Sequence, residues 1–553
     1  MWCWEGAMFA RVKTVRNHSY IQIVENRREG KSVKQRVIAT LGNAEEFITS
    51  GKLDNLTRSL LKHTQAVKVI DAHRDGSITA RSAKSLGPAL VFERLWKELG
   101  IPSAIAEASE GKRFKFSLER AIFLTVLHRM FVSGSDRAAE RWKEDFSIDG
   151  ADQLELQHLY RAMGWLGERI LQLGNDPFSE RTTKDLLEEA LFKNTRDLFS
   201  SLEVVFFDTT SIYFEGEGGW DVGRRGHSKD SRPDLKQMIV GAILDGDGRP
   251  ICCELWPGNV TDVKTLLPVV QRLKNRFGIT SMCIVADRGM ISKDTIEKLE
   301  SREVDINYIL GVRMRKAKAL ADESFDTGMF VEVTPPKRTK KDPSPLRVSE
   351  KVIDGKKYIL CYNEQRARKD KHDREAIVAA LKEKLNENDK NLVGNNGFRK
   401  YLKSAKEDHF TLDEKKIALE EKYDGMWVLT SNLKEAPSEI ARKYKELWMV
   451  EHVFRSMKSV LDTRPVYHKC DDTIRGHVFC SFLALKVMKE LEMRLRAQGS
   501  ECEWEQIKQD LCSLKEVELE FDESTWHLRT DLHGCCSEVL KAAGVAVPPS
   551  LRK

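Results

Sequence analysis

The 553-residue chain predicts an α/β protein of several domains: a mixed sheet with helices packed on it, a helical region before it and a helical tail after it. Three observations predict this. Apolar residues recur at helical spacing from about 80 to 200. Short apolar runs ended by Asp, Gly or Asn take over from Val204, and a helical pattern returns from Ala436. With 41% hydrophobic and 32% charged residues and a net charge of +6, the composition is that of a globular protein that tolerates a nucleic-acid partner.

The opening "MWCWEGAMFARVK" lacks the basic start and long apolar core of a secretory signal, and Met8 is a second candidate start. The eleven cysteines are scattered, with two adjacent pairs and no C-x-x-C, which predicts reduced thiols and a cytoplasmic location. From Tyr20 to Thr40 apolar and polar residues alternate on both sides of Arg-Glu-Gly, predicting a β-hairpin with a basic outer face in a domain over 1–70. The region 71–200 reads as helical. "GPALVFERLWKELGI" has Pro88 near its start and Gly100 at its stop, and "AIFLTVLHRMFV" from Ala121 is too short to span a bilayer and reads as a buried helix. Arg and Lys on the outer faces make this region a candidate DNA-binding module, the alternative being a solvated helical face.

The sheet domain spans 201–314 plus 423–465. "LEVVFFDTTSIYF" and "KQMIVGAILDGDGRPICCELWPGN" predict strands joined by turns, hence antiparallel neighbours. The amphipathic helix "LLPVVQRLKNRFG" then leads into the strand "SMCIVAD". Residues 315–422 are charged and irregular and read as an insertion, with a basic Pro-rich loop from Thr334 and a strand at "KKYILCYN"; the strand "DGMWVLTSN" follows directly after it. Residues 436–462 predict one long helix, and 466–553 a mostly helical tail.

Two apolar strands run straight into an acid: Phe206 and Phe207 into Asp208, Val285 and Ala286 into Asp287. Either Asp alone is a turn residue; the pair, on candidate neighbouring strands, points to a site. A third acid, Glu451, lies in the long helix, where Tyr444, Glu451 and Lys458 fall within about 20° of one stripe. Alone it reads as a solvated Glu451–Arg455 pair. Two carboxylates about 4 Å apart repel by roughly 4 kcal/mol at an effective dielectric near 20. Divalent cations offset such a charge, and oxygen donors of this kind suit Mg²⁺.

Asp208, Asp287 and Glu451, with "YKELWMVEHVFRSMK", resemble the Asp-Asp-Glu site of bacterial insertion-sequence transposases, in the group with the signature Tyr-x2-Arg-x3-Glu-x6-Lys. Tyr444, Glu451 and Lys458 match it, while Leu447 stands at the Arg position. The resemblance implies a ribonuclease-H-like catalytic domain with a β-rich insertion before the Glu helix. It further implies Mg²⁺ at Asp208, Asp287 and Glu451, with Mn²⁺ able to substitute, and cut-and-paste chemistry on the DNA of the element's terminal inverted repeats and its target. Tyr444, Arg455 and Lys458 would contact DNA phosphate, Arg455 standing in for the absent Arg, and the chain would act as a homodimer. A relative that binds DNA without turnover is the alternative.

Three other features compete for attention. His468, Cys470, His477 and Cys480 match no common zinc spacing. "GEGGWDVGRRGHS" lacks the Lys-Ser/Thr of a P-loop and reads as a mobile loop near Asp208, offering Arg224, Arg225 and Lys229 to DNA. Trp427 reads as a core strand residue, the alternative being a base-stacking one.

Overall fold

The structure, a computed structural model, describes residues 8–16, 18–29, 32–61, 78–171, 180–195, 204–279, 281–301, 304–312, 330–333, 346–387, 400–405, 409–521 and 524–553. The basic loop from Thr334 lies outside the described residues. The chain divides into two units: Met1–Lys84 with Leu514–Asp531 and Pro548–Lys553, and Ser85–Ser513 with Leu532–Val547.

In the first unit, Met8–Val15, His18–Glu29 and Ser32–Asn43 form an antiparallel three-stranded sheet whose second and third strands are the expected hairpin. Asn43 then caps a short helix, its side-chain oxygen accepting from the Glu45 and Glu46 N–H groups at 3.0 and 3.4 Å. A second sheet has the order Leu551–Arg552, Ser524–Arg529, Lys515–Phe521, Ile78–Ser85. These strands stand where the sequence reading placed helices. In "KEVELEF", Val517, Leu519 and Phe521 alternate with three glutamates, a period of two that the high charge obscures.

The second unit begins with the expected helices. Gly87–Glu98 has Pro88 in its first turn, and Gly100, at φ 71°, takes the left-handed conformation that ends it. Leu118–Phe131 is buried from Ala121 onward on all sides. Its Arg129 is tolerated there because Asp136 lies 3.7 Å away, Ser481 Oγ accepts at 2.9 Å and the His477 carbonyl accepts as well.

Nine strands make the main sheet: β1 (Val204–Tyr213), β2 (Gln237–Leu244), β3 (Pro250–Pro257), β4 (Cys283–Ala286), β5 (Asn307–Val312), β6 (Val331–Val333), β7 (Leu346–Ile353), β8 (Lys356–Asn363) and β9 (Met426–Ser431). Their order is β6-β7-β8-β9-β5-β4-β1-β2-β3. Strands β1, β4 and β5 are parallel, and every other pairing is antiparallel. Strands β7 and β8 belong to the stretch read as an insertion, yet they extend the sheet, since β8 pairs with β9 along Lys357–Tyr362. Helix α1 (Leu266–Phe277) covers one face, packing Val269, Val270 and Leu273 on Val205 and Phe207 of β1 and Ile284 and Ala286 of β4.

Three further helices follow: α2 (Pro437–Lys445), α3 (Trp448–Ser459) and α4 (Asp471–Ala497). The single long helix expected over 436–462 is therefore two. The chain tightens at Glu446 and Leu447, where Leu447 N–H donates to the Tyr444 carbonyl and Met449 N–H to that of Glu446, three residues back in each case. Among the described residues no helix is long and apolar enough to cross a membrane.

Candidate active site

Strand alternation aims the two aspartates. Val205 and Phe207 face α1, so Asp208 faces away from it; Ile284 and Ala286 also face α1, so Asp287 likewise faces away. The parallel register pairs Ala286 with Phe207, which brings the two carboxylates to the same level on neighbouring strands. Strand β1 does not end on Asp208, as the sequence suggested. It continues to Tyr213, because β2 pairs with it from Phe206 to Tyr213 (Asp208 opposite Ala242), while β4 stops at Ala286. Asp208 thus sits where one neighbour ends and the other runs on.

The charge at this point is concentrated. Burial pushes the Asp208 carboxyl up to about 6. The Lys229 ammonium and the Thr209 N–H, which donates to Asp208 Oδ1 at 2.7 Å, oppose that rise, and the Asp287 and Asp262 carboxylates add to it. The Tyr444 hydroxyl at the end of α2 donates to Asp287 Oδ1 at 3.1 Å. Burial and the Asp287 charge push that phenol well above its ordinary range. Gly311 on β5 lets the ring through: a Cβ there would lie 2.5 Å from the Tyr444 hydroxyl.

Asp262, just after β3, is an acid that the sequence reading passed over. Thr209 Oγ1 donates to its Oδ1 at 2.7 Å, and Lys229 Nζ lies 3.1 Å from its Oδ2. The Lys229 ammonium also donates to the Thr209 carbonyl at 2.7 Å, and the Lys229 N–H to Ser211 Oγ at 2.8 Å. The hydroxyl residues that follow Asp208 therefore dock the loop between β1 and β2. The signal for Asp262 was a third acid shortly after a strand, in "ELWPGNVTD".

Glu451 lies in the first turn of α3, which packs on β1 and β2 through buried Val450, Val453, Phe454 and Met457. Its side chain is exposed, as is Arg455 one turn on. The split at Leu447 removes Tyr444 from the helix of Glu451 and Lys458, so the common stripe expected for all three does not form. Lys458 Nζ is 2.8 Å from Asp230 Oδ1. Leu447, where the signature has Arg, is buried at the turn.

Among the described residues, the cluster of three metal-type side chains with donor atoms within 4.8 Å of one another is Asp136, His468 and His477. Arg129 already fills it, with Nη2 2.8 Å from His477 Nδ1. His477 Nε2 meets the Thr463 carbonyl at 3.1 Å, and burial with the Arg129 charge keeps the ring neutral. Cys470 is exposed, Cys480 is buried, and neither joins this cluster. In the glycine-rich loop, the Asp471 carboxylate accepts from the N–H groups of Trp220, Asp221 and Val222 at 3.1 to 3.2 Å, so the chain itself occupies the cradle a phosphate would use. Trp427 is half-buried with the Arg366 guanidinium 5.2 Å above its ring.

Residues 200–486, more than half of the chain and including all three predicted acids, match the family model of the transposase DDE domain. The chain belongs to the DDE transposases. Residues 10–72 match the model of the N-terminal domain of IS1634 family transposases, which makes it a transposase of the insertion-sequence type. No curated protein matches. Among solved structures it is similar to the piggyBac transposase synaptic complex with hairpin DNA, studied by cryo-electron microscopy, at 11% identity and a TM-score of 0.39 over 77% of this chain and 79% of that one.

Proposed function

We propose that this transposase cleaves DNA at the ends of its own insertion sequence and joins those ends to a target by a cut-and-paste route, with Asp208, Asp287 and Glu451 as the catalytic acids. The observation that carries this reading is the pair Asp208 and Asp287, level on adjacent parallel strands inside the matched DDE region, with Asp208 resisting ionisation. The order β3-β2-β1-β4-β5, antiparallel in its first three strands and parallel in the last three, supports a ribonuclease-H-like core.

The donor set fits a divalent cation: two carboxylates whose mutual repulsion a cation would relieve, and a third on a helix packed on β1, the strand of Asp208. Mg²⁺ or Mn²⁺ bound there would activate a water or 3′-hydroxyl and stabilise the leaving oxygen. The chain's own groups do the positioning. Tyr444 orients the Asp287 carboxylate, Lys229 ties the loop after β1 to the level of Asp208, and Arg455 and Lys458 on α3 supply cations for the DNA backbone. Cutting two ends together calls for a homodimer, and the site of action is the cytoplasm, on the nucleoid.

A second reading, a DNA-binding relative without turnover, is favoured by the exposed Glu451, which joins no three-ligand cluster among the described residues. Incubating the chain with a duplex carrying the element's terminal repeat, with and without Mg²⁺, separates the two. Metal-dependent breakage at the repeat supports the transposase reading; a duplex bound but left whole supports the second.

A further inference from the structure

Two cations meet on one oxygen of Asp230, the Lys458 ammonium as a hydrogen-bond donor and the Arg464 guanidinium as an ion pair. Lys458 Nζ lies 2.8 Å from Asp230 Oδ1, and Arg464 Nη1 lies 3.1 Å from the same atom. The Asp230 side chain is 5% exposed, Lys458 13% and Arg464 29%, so the carboxylate is at the bottom and the cations lie nearer the surface. Asp230 Oδ2 and Arg464 Nε are buried without a hydrogen-bond partner among the described residues. Two positive charges on one negative charge leave a net +1. An ammonium has three donors and a guanidinium five, most of them not used by Asp230.

The three residues come from three elements that converge near the acids. Asp230 follows Lys229, whose N–H is held by Ser211 of β1, and the Ser228 hydroxyl accepts from the N–H groups of Asp230 and Arg232. Lys458 is seven residues beyond Glu451 on α3. Arg464 belongs to a segment laid along the end of β1: Val466 N–H donates to the Tyr213 carbonyl at 3.1 Å, and the Arg464 guanidinium lies 5.7 Å from the Tyr213 ring. A cation pair with spare donors, braced from below and next to a candidate DNA-cutting site, is complementary to a phosphodiester.

We propose that Arg464 is a second DNA-phosphate ligand beside Lys458, and that Asp230 is the positioning residue that aligns the two as a clamp on the backbone. This rests on the reading of the protein as a DNA-cutting transposase, but its test needs no cleavage. The affinity of the full chain is measured without metal, over a range of salt, for a duplex carrying the terminal repeat and for a scrambled duplex of equal length. Arg464→Gln weakens binding to both by roughly tenfold and lowers the slope of log K against log salt by about 1, while Arg464→Lys keeps most of that slope. Asp230→Asn is the sharper variant. Removing a negative charge tightens DNA binding if charge alone matters, whereas the clamp predicts weaker binding. An unchanged slope in Arg464→Gln, or tighter binding by Asp230→Asn, overturns the clamp. Wild-type protein that binds neither duplex overturns both the clamp and the DNA reading. Binding with the expected slopes but no metal-dependent breakage supports the clamp and refutes only the catalytic reading.

Discussion

Asp208 holds a charge that its surroundings oppose. Its folded pKa of about 6 lies above the ordinary 3.8, so the native state keeps its proton to higher pH than the unfolded chain. Stability contributed by this group is therefore full below pH about 4 and lost as pH rises through 6. Asp208→Asn, which cannot ionise, should be more stable than wild type by about 1–3 kcal/mol at pH 7.5 and nearly equal to it at pH 4, in denaturant titrations without metal. Equal stability at both pH values would contradict the burial of Asp208 and, with it, the crowding by Asp287 and Asp262. Leu447 gives a second residue-scale prediction. Because it is buried, Leu447→Arg, the change that completes the family signature, should cost about 3 kcal/mol or more in a chemical melt. A variant that keeps wild-type stability and gains DNA affinity would show that this position faces the nucleic acid. At Gly311, an Ala would displace Tyr444 from Asp287 and lower stability by about 1–3 kcal/mol, with a matching loss of cleavage.

At the scale of elements, what the sequence made legible was the strand logic. Apolar runs ending on Asp208 and Asp287 could be read because alternation and the parallel register convert sequence position directly into direction and level. The break between α2 and α3 could not: no Gly or Pro marks Glu446–Leu447, and the apolar stripe continues across it, so a tight turn set by packing looks like uninterrupted helix. Asp262 and Asp230 were hidden for a different reason, since each is a loop acid whose partners are distant in sequence. The same holds for the ion network behind the sheet. Arg276 of α1 lies 2.7 Å from Glu188 Oε2, 3.2 Å from Asp185 Oδ1 and 3.1 Å from Glu254 Oε1, all buried. Arg276→Met should cost about 3–5 kcal/mol, read by chemical unfolding, because it leaves buried carboxylates short of a counter-charge. A loss below about 1 kcal/mol would mean that the network's other cations, Lys184 at 2.8 Å from Asp185 Oδ1 and Arg272 at 2.9 Å from Glu254 Oε1, suffice to hold it.

The whole molecule returns its C-terminal segments to both units. Lys515–Phe521 belongs to the unit that holds the first 84 residues, while Cys536–Ala542 belongs to the unit of the main sheet, burying Cys536, Val539 and Leu540. A chain ended at Ser513 should therefore lose order in both, seen as a lower and broader thermal transition, and not merely lose a partner surface. Retention of the full-length transition would contradict this. The central claim concerns the three acids. Its most direct test is cleavage of a duplex carrying the element's end, in Mg²⁺, by wild type and by Asp208→Ala, Asp287→Ala and Glu451→Ala, with binding followed in parallel. The expected result is cleavage by wild type, its loss in all three variants, and binding retained throughout; cleavage that survives in any one of them would contradict the assignment of that acid.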